Sequence, residues 1–105
     1  MRYRVRFHPA VSEDLDAIVR WLVDHAGHET AARRLAEIDE VIASLQERPH
    51  KGSIRDEIAP GLRAIPAGRK AVIAFTVDDE TREVFIHVVS YAGADWMARS
   101  RARRG

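Results

Sequence analysis

Along residues 2–7 apolar and charged side chains alternate one for one, with Tyr3, Val5 and Phe7 set against Arg2, Arg4 and Arg6. A period of two is that of a strand with one face buried. His8 and Pro9 end it, and proline suits the first turn of a helix, where its missing N–H is not needed. The period then changes. Val11, Leu15, Ile18 and Leu22 recur at intervals of four, three and four, with Val19 beside them, which draws one apolar stripe on a helix reaching Gly27. Ser12, Glu13, Asp14 and Asp16 occupy its first turns, where carboxylates complement the helix dipole. A second stripe of Ala31, Leu35, Ile38, Ile42 and Leu45 predicts a helix from about Glu29 to Arg48, ahead of Pro49. Two such helices joined around Gly27 and His28 make an antiparallel hairpin. Neither stripe is long enough for a free coiled coil, so both are expected to face a sheet and each other.

Pro49 to Gly61 is polar and broken by Pro49, Gly52, Pro60 and Gly61, so it reads as a loop. Strands follow. Leu62 to Pro66 is short, and its proline marks an edge or a strand end. Ala67 and Gly68 turn the chain. Lys70 to Val77 places Ala71, Ile73, Phe75 and Val77 on one face, and Asp78 to Thr81 forms a hairpin loop. From Glu83 to Tyr91 both faces are apolar: Val84, Ile86 and Val88 one way, Phe85, His87, Val89 and Tyr91 the other. That pattern suits a strand inside the sheet. Residues 94–97 are expected to make one last turn. The order is β-α-α-β-β-β, an α+β fold with a helical hairpin packed on a largely antiparallel four-stranded sheet. At 105 residues the chain is one domain. Residues 1–98 form it, and residues 99–105 read as a flexible, Arg-rich tail.

Composition removes whole classes of function. The chain has no cysteine, so disulfides, thiolate chemistry and sulfur-bound zinc are out. No apolar run approaches the roughly 20 residues of a membrane span, and the alternating N-terminus lacks the apolar stretch of a signal peptide. A cytoplasmic protein with no membrane contact is expected. The net charge of +1 hides an asymmetry. Residues 8–60 carry 6 basic against 11 acidic side chains, a balance of −5, whereas Arg99, Arg101, Arg103 and Arg104 crowd the last seven positions. A nucleic-acid reader usually carries a stronger basic excess.

Site motifs are scarce. Neither phosphate-cradling glycine pattern is present. His25 and His28 precede Glu29 at a helix–helix turn, the wrong order and place for a zinc-binding helix, and no metal or cofactor is expected. The serines 12, 44, 53, 90 and 100 have no histidine and aspartate patterned around them as a triad needs. One constellation remains. Arg63, Arg69 and Lys70 bracket a hairpin turn, and His87 and Tyr91 lie on a strand expected beside it. Cations can stabilise charge on a scissile phosphate, and histidine or tyrosine can move a proton or stack on a base. Those five residues could serve a metal-free ribonuclease. They could equally protect a sheet edge and pack on the sheet.

Several stretches together resemble the RelE/ParE superfamily of toxins from type II toxin–antitoxin modules. They are Phe7 to Ile18, with its Pro9-Ala10 pair ahead of Asp14-Leu15; Arg55 to Arg63; Gly68-Arg69-Lys70; Val77-Asp78-Asp79; and Tyr91 to Trp96. The resemblance spans nearly the whole chain and implies the same element order. Its RelE-like branch implies a ribosome-dependent mRNA endonuclease with clustered basic groups on the sheet. Its ParE-like branch implies a toxin that poisons DNA gyrase by binding it, with no catalytic residue. Arg63 and Lys70 match basic positions of the RelE-like toxins. Ala94, however, stands where many relatives have arginine, and no later tyrosine follows. Loss of one donor of that kind costs roughly 10²–10³ in rate. With the long helical hairpin, this favours the ParE-like branch.

The resemblance further implies a growth-arresting toxin of a plasmid-stabilisation module. Its partner is a cognate antitoxin from the same operon, expected to be ParD-like, which forms a hetero-oligomer with it and alone mediates contact with operator DNA. Gyrase is the expected target and the ribosome the alternative. A toxin fold with a decayed site, serving only as partner or co-repressor, is a third reading. The antitoxin is expected along the helical hairpin and the sheet edge, on the region of Leu15, Val19, Leu22, Leu35, Ile38 and Ile42, with Trp21, Val41 and Trp96 as anchors.

Overall fold

The chain runs through β1 (Arg4–Phe7), α1 (Val11–Ala26), α2 (His28–Ser44), β2 (Ser53–Ile54), β3 (Arg63–Ala67), β4 (Ala71–Asp78), β5 (Glu83–Tyr91) and α3 (Trp96–Arg104). The computed structural model describes residues 2–93 and 95–104, the last of these in its backbone alone. The strands form one sheet in the order β1-β5-β4-β3-β2. β1 runs parallel to β5, and every other pairing is antiparallel. The α+β class, the helical hairpin and the interior place of β5 agree with the sequence pattern. Among the described residues no helix is long and apolar enough to cross a membrane.

The sheet has a fifth strand where a loop was expected. Ser53 and Ile54 pair with Ala64 and Arg63. Gly52 makes this possible: at φ +80° its Cα lies so close to β3 that a Cβ would stand 2.5 Å from the Ala64 carbonyl oxygen. A two-residue strand has no period to read. It covers only the start of β3, so Pro66 lies beyond it, on the uncovered part of the strand.

A bulge in β5 corrects the expected faces. Ala74 pairs with Val88 but Phe75 pairs with Ile86, so His87 is the extra residue. Beyond it the alternation changes sides. Val89 and Tyr91 join Val84 and Ile86 on the helix side, while Val88 packs on the other face. The helix-side core holds Leu22, Ile38, Leu45, Ile73, Phe75 and Ile86, all essentially inaccessible. Each such side chain contributes about 1.5–3 kcal/mol by leaving water. On the opposite face Ile58, Ala59, Leu62, Ala74 and Val88 form a smaller core with Trp96 against it.

The C-terminal stretch differs most from expectation. Residues 96–104 are the helix α3, longer than the single turn expected there. The cause lies in α1. Asp14 occupies a position between Val11 and Ile18 on the apolar stripe and is only 5% exposed. Arg99 and Arg103, one helical turn apart, reach its carboxylate at 2.9 and 2.6 Å. A lone buried carboxylate is costly, and these partners offset that cost while fixing α3.

Candidate functional site

A hollow of about 710 Å³ lies between α1, the end of β5 and α3, with the charged Glu13, Asp14, Arg20 and Arg99 in its lining beside apolar groups. Its origin is in the sequence. Ala17 on α1, then Ala92 and Gly93 after β5, supply no bulk at its lining, whereas Ile18, Trp21 and Tyr91 wall it. The chain leaves β5 in a left-handed turn, with φ +55° at Ala92 and +78° at Gly93, and the Ala92 N–H donates to the Lys70 carbonyl oxygen at 3.0 Å. A second hollow of about 280 Å³ lies on the other side of Trp21 and Tyr91, toward α2 and the β3–β4 turn.

Trp21 and Tyr91 thus separate two hollows. Their ring centroids are 5.8 Å apart at 50°. Trp21 lies one turn after Ile18, at the margin of the buried stripe, and stays 43% exposed. His25, a further turn on, stacks on it at 4.3 Å and 13°, with its Nδ1 2.7 Å from the Trp21 carbonyl oxygen. Arg34, Arg69 and Lys70 line the second hollow, and no carboxylate does. Arg34 pairs with Glu37 at 3.2 Å. Arg69 and Lys70 are exposed and make no ion pair among the described residues.

The α3 clamp stands beside the first hollow. The Asp14 carboxylate accepts from Arg99 Nη1 at 2.9 Å, from Arg103 Nη1 at 2.6 Å and Nη2 at 2.9 Å, and from the Val89 N–H at 3.1 Å. Arg103 Nη1 also donates to the His87 carbonyl oxygen at 2.9 Å. Hydrogen bonding to Asp14 raises the pKa of the Arg103 guanidinium above its ordinary value, against the opposing pull of burial.

The five candidate nuclease residues do not converge. Arg69, Lys70 and Tyr91 meet at the second hollow. Arg63 begins β3, about 13 Å along the strand from its end at Ala67. There its Nη1 donates to the His50 carbonyl oxygen at 3.0 Å. His87 is buried at the bulge, its Nε2 2.9 Å from Thr76 Oγ1 and its ring edge-on to Phe85 at 4.7 Å. Ala94 lies outside the described residues.

The suggested partner contacts also sort by burial. Leu22 and Ile38 are at most 1% exposed and belong to the core. Leu15, Val19, Leu35, Val41 and Ile42 are half-buried. Trp96 is half-buried against the second core, under the Arg55 guanidinium at 5.5 Å, which commits much of it within the molecule. Trp21, by contrast, is 43% exposed.

Two polar groupings escaped the sequence reading. The first is Asp14 with Arg99 and Arg103. Its signal was an aspartate on an apolar stripe, and two arginines at an interval of four. The second joins chain segments far apart. Tyr3 Oη donates to Asp79 Oδ1 at 2.7 Å, and His50 Nε2 lies 2.8 Å from the same oxygen. The bond to Asp79 pushes the Tyr3 phenol above its ordinary pKa, and the bond from Tyr3 holds the Asp79 carboxyl below its own. No local pattern encodes that meeting. Among the described residues no cluster of histidine, aspartate and glutamate is arranged to hold a metal ion.

Fold and sequence together define a member of the RelE/ParE superfamily. Residues 5–94 match the model of the ParE toxin of the type II toxin–antitoxin system parDE, and the chain belongs to that family. Its function class follows from membership: it is a type II toxin–antitoxin toxin of ParE/RelE type. Among solved structures it resembles a chain of the chromosomal ParDE system from P. aeruginosa at 25% identity and a TM-score of 0.72, covering 87% of this chain and 97% of that one. The Mycobacterium tuberculosis RelBE2 toxin–antitoxin complex shares the fold at 23% identity and a TM-score of 0.64, over 88% of this chain and 100% of that one. So does a doubly substituted E. coli RelE toxin in the free state, at 17% identity and 0.66, over 99% and 98%. No curated protein matches the sequence.

Proposed function

We propose that this toxin arrests growth by binding DNA gyrase, without catalysis of its own, and that a ParD-like antitoxin from the same operon holds it inactive as a hetero-oligomer in the cytoplasm, in a module of the plasmid-stabilising kind. The observation that carries this reading is the dispersal of the groups a nuclease needs. Cations stabilise a scissile phosphate, and a general acid or base moves its proton, only when both reach one reacting centre within hydrogen-bond distance. Here Arg63 is tied to a backbone carbonyl at one end of β3, and His87 is tied to Thr76 in a buried bulge. Arg69, Lys70 and Tyr91 flank a hollow at the other end of the sheet. Family membership and the likeness to a ParDE chain support the same choice, and the toxin–antitoxin complexes among similar structures support an antitoxin partner.

The test is induction of the toxin in a bacterial host, with DNA-damage signalling and bulk protein synthesis followed together. Gyrase poisoning is expected to induce the damage response before translation falls, and co-expression of the operon's antitoxin is expected to prevent both. Immediate loss of translation with codon-phased mRNA cuts contradicts the reading.

A further inference from the structure

We propose that the two hollows on either side of Trp21 and Tyr91 together seat a nucleoside monophosphate, with its base in the hollow of about 710 Å³ and its phosphate on Arg69 and Lys70 in the hollow of about 280 Å³. This goes beyond the gyrase and antitoxin reading and does not rest on it.

The two linings divide the ligand into its parts. Trp21 and Tyr91 line both hollows, so one molecule crossing them touches both. His25 stacks on Trp21 and lines only the second hollow, which leaves the indole surface in the first uncovered. Tyr91 meets the same indole at 50°, so the aromatic surface is held in place before anything binds. Bases stack on such surfaces, and a preformed one costs little entropy to use. Charge sets the direction. In the first hollow Arg99 is committed to Asp14, whereas Glu13 and Arg20 form no ion pair among the described residues. Two carboxylates there disfavour a phosphate, but Glu13 can accept from a base edge and Arg20 can donate to it. In the second hollow no carboxylate is among the lining residues. Arg34 is taken by Glu37, which leaves Arg69 and Lys70, exposed and without an ion pair among the described residues, to meet an anion. The Thr30 hydroxyl accepts from Arg33 Nη2 at 3.2 Å and keeps its own proton to donate there. An aromatic plane with a hydrogen-bonding edge, joined by a short spacer to a phosphate, is a nucleotide.

The experiment is isothermal titration calorimetry of the full-length toxin with GMP, guanosine and inorganic phosphate in turn. The variants are Trp21→Ala, Arg69→Ala with Lys70→Ala, and Arg48→Ala as a control on an exposed cation that lines neither hollow. Circular dichroism checks that each is folded. The parent is expected to bind GMP at least tenfold more tightly than either guanosine or phosphate, because linking the two parts makes the second contact intramolecular. The double variant is expected to weaken GMP at least tenfold and leave guanosine unchanged. Trp21→Ala is expected to weaken both at least fivefold, and Arg48→Ala neither. Absence of saturable GMP binding by the parent overturns the proposal, as does binding by the Trp21 and double variants within twofold of the parent. Phosphate bound as tightly as GMP shows an anion site alone and overturns it too. So does binding of a single-stranded DNA 20-mer when GMP does not bind, since the surface then serves nucleic acid. Gyrase inhibition and neutralisation by antitoxin are measured separately and stand or fall without this site.

Discussion

Arg103 Nη1 lies 2.6 Å from Asp14 Oδ2, joining the last helix to the first turns of α1 across 89 positions of sequence. The pair is buried on the aspartate side, and Arg99 and the Val89 N–H complete the carboxylate's shell. Removing one partner of a buried pair leaves the other uncompensated. Asp14→Ala is therefore expected to cost about 3 kcal/mol, read as a shift of the urea unfolding midpoint. It should also free α3, so that trypsin cuts after Arg99 and Arg103 in the native variant long before it does so in the parent. An α3 that stays protected in Asp14→Ala would show that apolar packing of Trp96 suffices to hold it.

The Tyr3–Asp79 bond predicts a pH window. The Tyr3 pKa is raised on folding, so its contribution is full below the ordinary value of 10.0 and is lost as pH rises through the higher folded value. The Asp79 pKa is lowered, so its contribution is present above 3.8 and is lost as pH falls through the lower folded value. Tyr3→Phe is expected to lower the Tm by a constant amount between those limits, with the difference closing above pH 10. A difference that persists unchanged to pH 11 contradicts the bond's role.

Burial separates core from contact surface on α1 and α2. Ile38 is fully buried among Leu22, Phe75 and Ile86. Ile38→Ala is expected to destabilise by about 2–5 kcal/mol, measured by urea denaturation. Its folded fraction should bind antitoxin with unchanged affinity in calorimetry. Weaker binding by the folded variant would return Ile38 to the contact surface.

Gly52 gives a backbone prediction. Its φ of +80° and its approach to Ala64 exclude a side chain. Gly52→Ala should destabilise by about 1–3 kcal/mol and expose to hydrogen exchange the amide of Arg55, which donates to the Leu62 carbonyl oxygen at 2.7 Å just past β2. Exchange as slow as in the parent would mean that β2 does not depend on this glycine.

Where a segment's own period specified its burial, the sequence was legible. The stripe of α1, most of the stripe of α2 and the face of Ala71, Ile73, Phe75 and Val77 on β4 stand in the structure as the pattern has them, and so do Tyr3 and Val5 at β1, whereas Phe7 at its end is 47% exposed and Leu35 stays outside the core. What failed was decided by a second segment. The bulge at His87 comes from pairing with β4 and reverses Val88, Val89 and Tyr91. β2 exists only because β3 passes close to Gly52. The helix α3 pairs with Asp14, far away in sequence, whose place in the first turn of α1 is equally explained by the helix dipole. At the site, Arg69, Lys70 and Tyr91 line one hollow, whereas strand length and the bulge set Arg63 and His87 apart from it.

The most direct measurement of the central claim is a supercoiling assay with purified gyrase, relaxed plasmid and ATP, titrated with the toxin. Inhibition or trapped cleavage complexes are expected, reversed by antitoxin and unaffected by Arg63→Ala, while ribosome-bound mRNA in a parallel reaction stays intact. Full supercoiling activity at saturating toxin, with codon-phased cleavage of the mRNA that Arg63→Ala and Lys70→Ala abolish, would contradict the account.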